Sequence, residues 1–364
     1  MSTKTEGRYL HSDLEPGDAL RRMLREMLES GRVDSVFLLR RTPTEGRFCY
    51  SLVSDPETID ETLPFHPVMP VQAARALTQL TIQEPLKRPV AALLRPCELR
   101  AFLENVKQSQ GSMENLFVIS CTCPGVFPAS EFIRSGRRDP EKYWDLRNAC
   151  SACVDFVPGT GADMTVILSS DDAVPGTLVH LATSRAEELT DHAEGFSPVD
   201  GPDPAERNRN TASERESARR TLLRDAPPSG EGLSSLVSMF SKCIGCRACR
   251  QACPLCNCIL CDYETSRTIH SPALVMAESR RRGATRVPSG TLQFHLGRLV
   301  HIAPFCTACG QCSDVCPADI PVADIFIRAG EMVQDTLAYR PGTDPDEGPP
   351  LSIYSDGELQ EIMD

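Results

Sequence analysis

The sequence predicts an α/β domain followed by a mainly α-helical domain organised around cysteine. Three observations predict it. Short apolar runs alternate with helical periodicity through the first half of the chain. A polar, Pro/Ser/Glu/Arg-rich stretch then interrupts it. Beyond that stretch lie eleven of the 17 cysteines, in short repeated spacings.

The elements follow in order. Leu20, Met23, Leu24, Met27 and Leu28 recur at helical spacing and predict a helix over Asp18–Leu28. Strands are predicted at Ser35–Arg40 and Phe48–Val53, then a helix at Val71–Leu80. Val90–Arg95 reads as a short buried strand, with a helix over Cys97–Gln108 after it. Leu116–Ser120, Met164–Leu168 and, more weakly, Leu178–Ala182 complete the strand set. The α/β domain is placed at 1–185 and a polar linker with room for one solvated helix at 186–232. A second domain is placed at 233–337 and an acidic tail at 338–364.

Composition narrows the function. Apolar residues make up 41% and charged residues 24%, as in globular domains. No window approaches eighteen uninterrupted apolar residues, and the N-terminus has no apolar signal region, so neither membrane insertion nor export is expected. A net charge of −12 argues against nucleic acid as a partner. Bunched thiols in a long chain read as metal ligands in a reducing compartment, which predicts the cytoplasm.

The spacing C-x2-C-x2-C-x3-C-P occurs twice, over Cys243, Cys246, Cys249 and Cys253, and again over Cys306, Cys309, Cys312 and Cys316. A tight turn brings three thiolates to one iron–sulfur cube, while the fourth serves the other cube. Two [4Fe–4S] clusters are therefore expected. Cys243, Cys246, Cys249 and Cys316 hold one, and Cys306, Cys309, Cys312 and Cys253 the other. Structural zinc favours paired knuckles over such triplets. The fold class is thus an α/β domain plus a helical two-[4Fe–4S] ferredoxin domain.

The insert between the motifs contains an amphipathic helix over Gly290–His301. This arrangement resembles the α-helical ferredoxins of heterodisulfide reductase and succinate dehydrogenase subunits. His295 and His301 on that helix are expected to pack, because the thiols already complete both ligand sets. Lys242, Arg247 and Arg250 stand among the first ligands. They either raise the cluster's potential or guide an acidic partner. The acidic tail and the Arg280–Arg282 loop are further candidate partner surfaces. Cys256, Cys258 and Cys261 are left over, with metal binding, redox chemistry and packing all open.

The first domain has a sparser set. Cys97, Cys121 and Cys123 follow strands, and Cys150 and Cys153 form a C-x2-C pair; Cys49 stands apart. Strand ends of an α/β domain converge on one rim. By spacing alone, a third metal site and ordinary buried thiols both remain open.

The segments RPCELRAF, NLFVISCTCPGVFP and RNACSACVDFVPGTGADMTV resemble the core of the β subunits of deazaflavin-coenzyme-reducing hydrogenases and formate dehydrogenases. The resemblance implies a third [4Fe–4S] cluster on Cys97, Cys123, Cys150 and Cys153. It places Asp155 and Ala162-Asp163 at polar positions after them and leaves Cys121 spare. CIGCRACRQACPLCNCILC with FHLGRLVHIAPFCTACGQCSDVCP resembles ferredoxin-fused members of the same family. Those are associated with formate dehydrogenase, hydrogenase or heterodisulfide-reductase-like complexes. The likeness covers roughly 88–165 and 240–325. Members that reduce the deazaflavin coenzyme bind FAD and carry a Gly-rich stretch after the Ala-Asp pair. Here Met164-Thr-Val-Ile-Leu-Ser-Ser-Asp171 stands instead, and Gly159-Thr-Gly161 reads as a turn. FAD is therefore not supported by these residues.

The expected function is an iron–sulfur electron-transfer subunit of an anaerobic oxidoreductase complex. Its expected partners are a catalytic oxidoreductase subunit and an electron-acceptor protein. No nucleophile–base pair is legible, so no catalytic residue is named. The alternatives are a flavin-dependent β subunit acting on a deazaflavin or nicotinamide coenzyme, and the iron–sulfur subunit of an anaerobic sulfite reductase. A redox sensor is a weaker one, since one cluster would suffice for sensing.

Overall fold

A computed structural model describes residues 7–44, 46–135, 145–191, 193–225, 232–265, 272–283, 290–350 and 352. Its strands are β1 (Gly7–Ser12), β2 (Ser35–Arg41), β3 (Phe48–Val53), β4 (Val90–Leu93), β5 (Leu116–Thr122), β6 (Met164–Ile167), β7 (Thr177–Leu181) and β8 (Ser197–Gly201). They form one sheet in the order β3-β2-β4-β5-β6-β7-β1-β8. The central block β2-β4-β5-β6 is parallel. The flanking pairs are antiparallel. Strands covered on both faces need continuous apolar sequence, and β4, β5 and β6 are buried throughout.

Helix α1 (Pro16–Glu29) starts at a proline, which suits the first helical turn. It packs Leu20, Met23, Leu24 and Met27 on one face of the sheet. On the other face α2 (Ala73–Thr81) and α3 (Pro96–Lys107) bury Leu77, Leu99, Phe102 and Leu103 against Ala92 and Val118. Short helices α4 (Ala129–Ser135), α5 (Asn148–Ser151) and α6 (Ser184–Thr190) fill the connections.

Among its described residues, the stretch read from sequence as a polar linker, 186–232, carries a strand, a short 3-10 turn (Glu206–Asn208) and a long helix besides the end of α6. β8 pairs with β1 as the outer strand of the sheet. Helix α7 (Arg209–Asp225) buries Arg215 and Arg219. Neither gives an apolar signal. β8 is largely exposed and holds its place by backbone pairing, and α7 turns arginines inward where hydrophobic side chains usually go. β1 escapes sequence reading for a similar reason, being short and interrupted by polar residues.

The cysteine-rich part contains α8 (Gly232–Phe240), α9 (Ala248–Ala252), α10 (Pro272–Arg282), α11 (Thr291–Ile302), α12 (Gln311–Asp314) and α13 (Val322–Thr336). Its core is small. Phe240, Leu255, Phe294, Ile302, Ile325 and Phe326 pack together, and the thiols of Cys243, Cys253, Cys306, Cys312 and Cys316 pack against them.

This part is docked firmly on the sheet domain. Arg147 and Asp314 form an ion pair with side chains only 5% and 3% exposed. Asp314 also accepts from the Ala129 amide at 2.9 Å. Arg75 donates to the Cys253 carbonyl at 3.0 Å. The near end of the tail folds back: the Tyr339 hydroxyl donates to buried Glu104 at 2.7 Å, as does the Gly342 amide at 3.1 Å. Residues 353–364 of the expected tail lie outside the described residues. Among the described residues no helix is long and apolar enough to cross a membrane.

Candidate metal centres

The parallel strands deliver the first group of thiols. β4 ends just before the α3 start, where the Glu98 carboxylate accepts from the Arg95 amide at 2.9 Å and fixes the turn that carries Cys97. Cys123 follows β5, and α5 brings Cys150 and Cys153. All four line one cavity, together with Arg95, Asp155 and Arg215. Cys121 sits outside it, wholly buried in the sheet core.

Charge around this cavity is uneven. The Cys121 thiol donates to Cys123 and brings it down to about 6 against the pull of burial, with Arg95 and Arg215 helping. Burial and then Asp155 push Cys153 up to about 12. Burial also raises Cys97 and Cys150. Bare thiols resist ionisation in such a site, and a bound metal's charge reverses that preference. Asp155 itself is held low, against burial, by Arg100 and Arg340, the latter at 2.8 Å. Asp163 has a structural task, accepting from the Val118 amide at 2.8 Å and from Thr183 at 3.0 Å.

Arg215 is a site residue that sequence reading missed. It comes from α7, donates to the carbonyls of Cys123 and Pro124 at 3.1 Å, and lies 4.1 Å from the Phe156 ring centre. Its only sequence signal was an arginine within a charged run.

Cys253, Cys306, Cys309 and Cys312 line a second cavity. The two cavities share Ala308 and Cys309. Burial pushes Cys309 up to about 12 and raises Cys306 and Cys312. Gly310 explains how the second motif reaches the first domain so closely. It has φ +79°, and a Cβ there would meet the Ala149 Cβ at 2.8 Å.

Cys243, Cys246, Cys249 and Cys316 form the third group. Burial raises Cys243, and the neighbouring Cys246 and Cys316 add to it. Cys249 feels burial and the same neighbours, eased by Arg298. The two motifs share a backbone device. The residues flanking the second thiol are left-handed in both, Gly245 and Arg247 in one, Ala308 and Gly310 in the other. Cys246 is exposed, and Ile244 beside it is 63% exposed.

The basic residues named from sequence divide by role. Arg250 is buried and paired with Glu264 at 2.8 Å. Arg247 lies 4.4 Å from the Phe294 ring centre, and Lys242 is exposed. His295 is buried, stacked on Phe240 at 3.9 Å, with Nε2 3.4 Å from Cys243 Sγ. His301 is exposed. Cys256 packs on the third group's core and hydrogen-bonds Cys253. Cys258 and Cys49 are exposed, and Cys261 is partly so.

The donor sets fit iron–sulfur clusters. Among the described residues no three His, Cys, Asp or Glu side chains converge as a single ion would need. A zinc ion with bonds of about 2.3 Å requires such convergence. In the first two sets four thiols face one shared pocket with arginines beside them, a donor arrangement that suits a larger anionic group.

Comparison with known proteins points the same way. The 4Fe-4S dicluster domain family matches residues 239–320. The F420-dependent formate dehydrogenase subunit beta of Methanocaldococcus jannaschii is 25% identical over 378 residues, 93% of this chain and 94% of that one. The F420-dependent formate dehydrogenase 1 subunit beta of Methanococcus maripaludis is 27% identical over 387 residues, 92% of this chain and 93% of that one. A chain of the xenon-derivatised F420-reducing [NiFe] hydrogenase complex from Methanosarcina barkeri gives a TM-score of 0.46 at 12% identity, covering 62% of this chain and 93% of that one. With a dicluster domain over its cysteine motifs and relatives spanning nearly its whole length, the chain is an iron–sulfur protein related to the formate dehydrogenase β subunits.

Proposed function

We propose that the chain is the electron-transfer subunit of an anaerobic oxidoreductase complex, relaying single electrons through three [4Fe–4S] clusters. Cys97, Cys123, Cys150 and Cys153 would hold the first. Cys253, Cys306, Cys309 and Cys312 would hold the second, and Cys243, Cys246, Cys249 and Cys316 the third. One observation carries the reading: Cys309 lines both of the first two cavities, which makes those ligand sets neighbours. Arg298 links the second set to the third in the same way, lining the middle cavity and donating to Cys249. The three sets follow one another from the C-terminal ends of β4 and β5 to exposed Cys246.

A [4Fe–4S] cluster, when bound, takes up and returns one electron. The chain's own residues supply the rest. The sheet's C-terminal edge and the dicluster core wall two of the sites. Arg95, Arg215 and Arg298 place positive charge beside the thiols. The division into 1–185, 186–232 and 233–337 serves this row, with α7 of the middle segment holding the first site through Arg215 and reaching α13 through Arg219. The partners would be a catalytic subunit and an acceptor protein, in the cytoplasm, where thiols stay reduced.

A second reading is favoured by the relatives' names. Their dependence on F420 suggests a flavin-bearing subunit that splits a hydride into single electrons. Anaerobic purification with iron, sulfide and flavin quantification on one sample tests both. About twelve irons per chain without flavin supports the three-cluster relay. About eight irons with stoichiometric FAD overturns it in favour of the second reading.

A further inference from the structure

Helix α11 leads into the second cysteine motif but directs two nitrogen-bearing side chains at the other ligand set. His295 Nε2 lies 3.4 Å from Cys243 Sγ. Arg298 Nη1 donates to Cys249 Sγ at 3.1 Å, and its Nη2 to the Cys249 carbonyl at 3.2 Å. Positions 295 and 298 are three apart, so one helix face carries both. The side chains are 2% and 3% exposed. Arg298 also lines the cavity of Cys253, Cys306, Cys309 and Cys312.

A buried guanidinium is costly unless an anion compensates it. Arg250, also buried, has Glu264. Among the described residues Arg298 has no such carboxylate: it donates to the Cys249 Sγ, and against the cost of burial its charged form is favoured by Cys249, Cys256, Cys253 and Cys312. It packs over Phe326 at 4.8 Å, and its Nε has no hydrogen-bond partner among the described residues. The compensating anion on both sides is thiolate, and a four-thiolate cluster is net anionic.

We propose that Arg298 is a positioning residue that raises the potentials of both dicluster sites, and that His295 does so for the Cys243 site alone. The inference rests on the reading above that these thiols hold [4Fe–4S] clusters. Reduction adds negative charge, so a fixed buried cation favours the reduced form. Hydrogen bonds to the sulfurs act in the same direction. The cations legible from sequence stand inside the first motif, at Lys242, Arg247 and Arg250. The residue that reaches the thiols comes instead from a helix about fifty positions later, brought there by folding.

The test is an anaerobic redox titration of the full-length, iron-loaded chain, followed by electron paramagnetic resonance. The variants are R298Q, R298K and H295Q. In R298Q two cluster potentials should fall, with the reduced-to-oxidised ratio at a fixed applied potential dropping about tenfold for each, equivalent to about 59 mV for one electron. R298K keeps the charge and should restore most of that shift. H295Q should lower one potential only. Iron and sulfide content should match the unmutated chain, so a lost fold is not mistaken for a shifted potential. Unchanged potentials in iron-replete R298Q overturn the proposal. If R298Q fails to retain iron, H295Q decides: one lowered potential supports the proposal and none overturns it. An unmutated chain with no cluster signal would instead sink the three-cluster reading.

Discussion

Cys121 and Cys123 stand two residues apart on one strand end, yet their environments differ sharply. Residues two apart on a strand share a face, but the chain leaves the sheet just after Thr122, so Cys123 is no longer held in that register. Cys121 therefore stays in the sheet core while Cys123 enters the cavity. Replacing Cys123 by Ala should remove about four irons per chain, and replacing Cys121 by Ala should remove none. Iron analysis of the two purified variants separates them, and iron loss in C121A would contradict the assignment of Cys121 as spare. Gly310 offers a steric counterpart. Its φ of +79° and the 2.8 Å approach to Ala149 leave no room for a side chain. Gly310→Ala should cost about 1–3 kcal/mol, read as a lowered denaturation midpoint with the slope of the transition unchanged.

At the scale of elements, α7 shows what was legible and what was not. The parallel strands announced themselves because burial on both faces demands runs such as Val90–Leu93 and Leu116–Thr122. The two cysteine motifs were legible for a chemical reason, since a cluster fixes its ligand spacing. α7 offered neither signal. It binds the chain through Arg215, on the Cys123 and Pro124 carbonyls, and through Arg219, 2.5 Å from Glu331. Long arginine stems can bury as hydrocarbon while their heads find carbonyls, and composition alone reads that as a solvated surface. Arg298 was hidden similarly, because its partners lie far away in sequence. Arg215→Ala should leave two carbonyls and the Phe156 face uncovered, at a cost of about 1–3 kcal/mol. Hydrogen exchange should then accelerate in α7 and around residues 123–125, with the β4–β5 core unaffected. Equal protection in the variant would show that α7 is held elsewhere.

The whole molecule joins two parts of unequal self-sufficiency. The sheet domain has extensive cores on both faces, with one proposed ligand, Cys123, at their margin. The cysteine-rich part has one small core into which ligand thiols are themselves packed. Its motif helices α9 and α12 span five and four residues, too short to persist without fixed ends. In the proposed state the clusters supply those ends, so metal binding there is also folding free energy. The interface adds to this through the Arg147–Asp314 pair, whose burial makes loss of one partner cost about 3–5 kcal/mol. Two outcomes follow for the intact chain. Asp314→Asn should lower the unfolding midpoint and separate one transition into two, as the sheet domain outlasts its docked neighbour. Stripping iron with a chelator should abolish hydrogen-exchange protection across 232–337 while β2, β4, β5 and β6 keep theirs. Protection retained in α9 and α12 after complete iron removal would mean that side-chain packing, and not the clusters, holds the dicluster domain together.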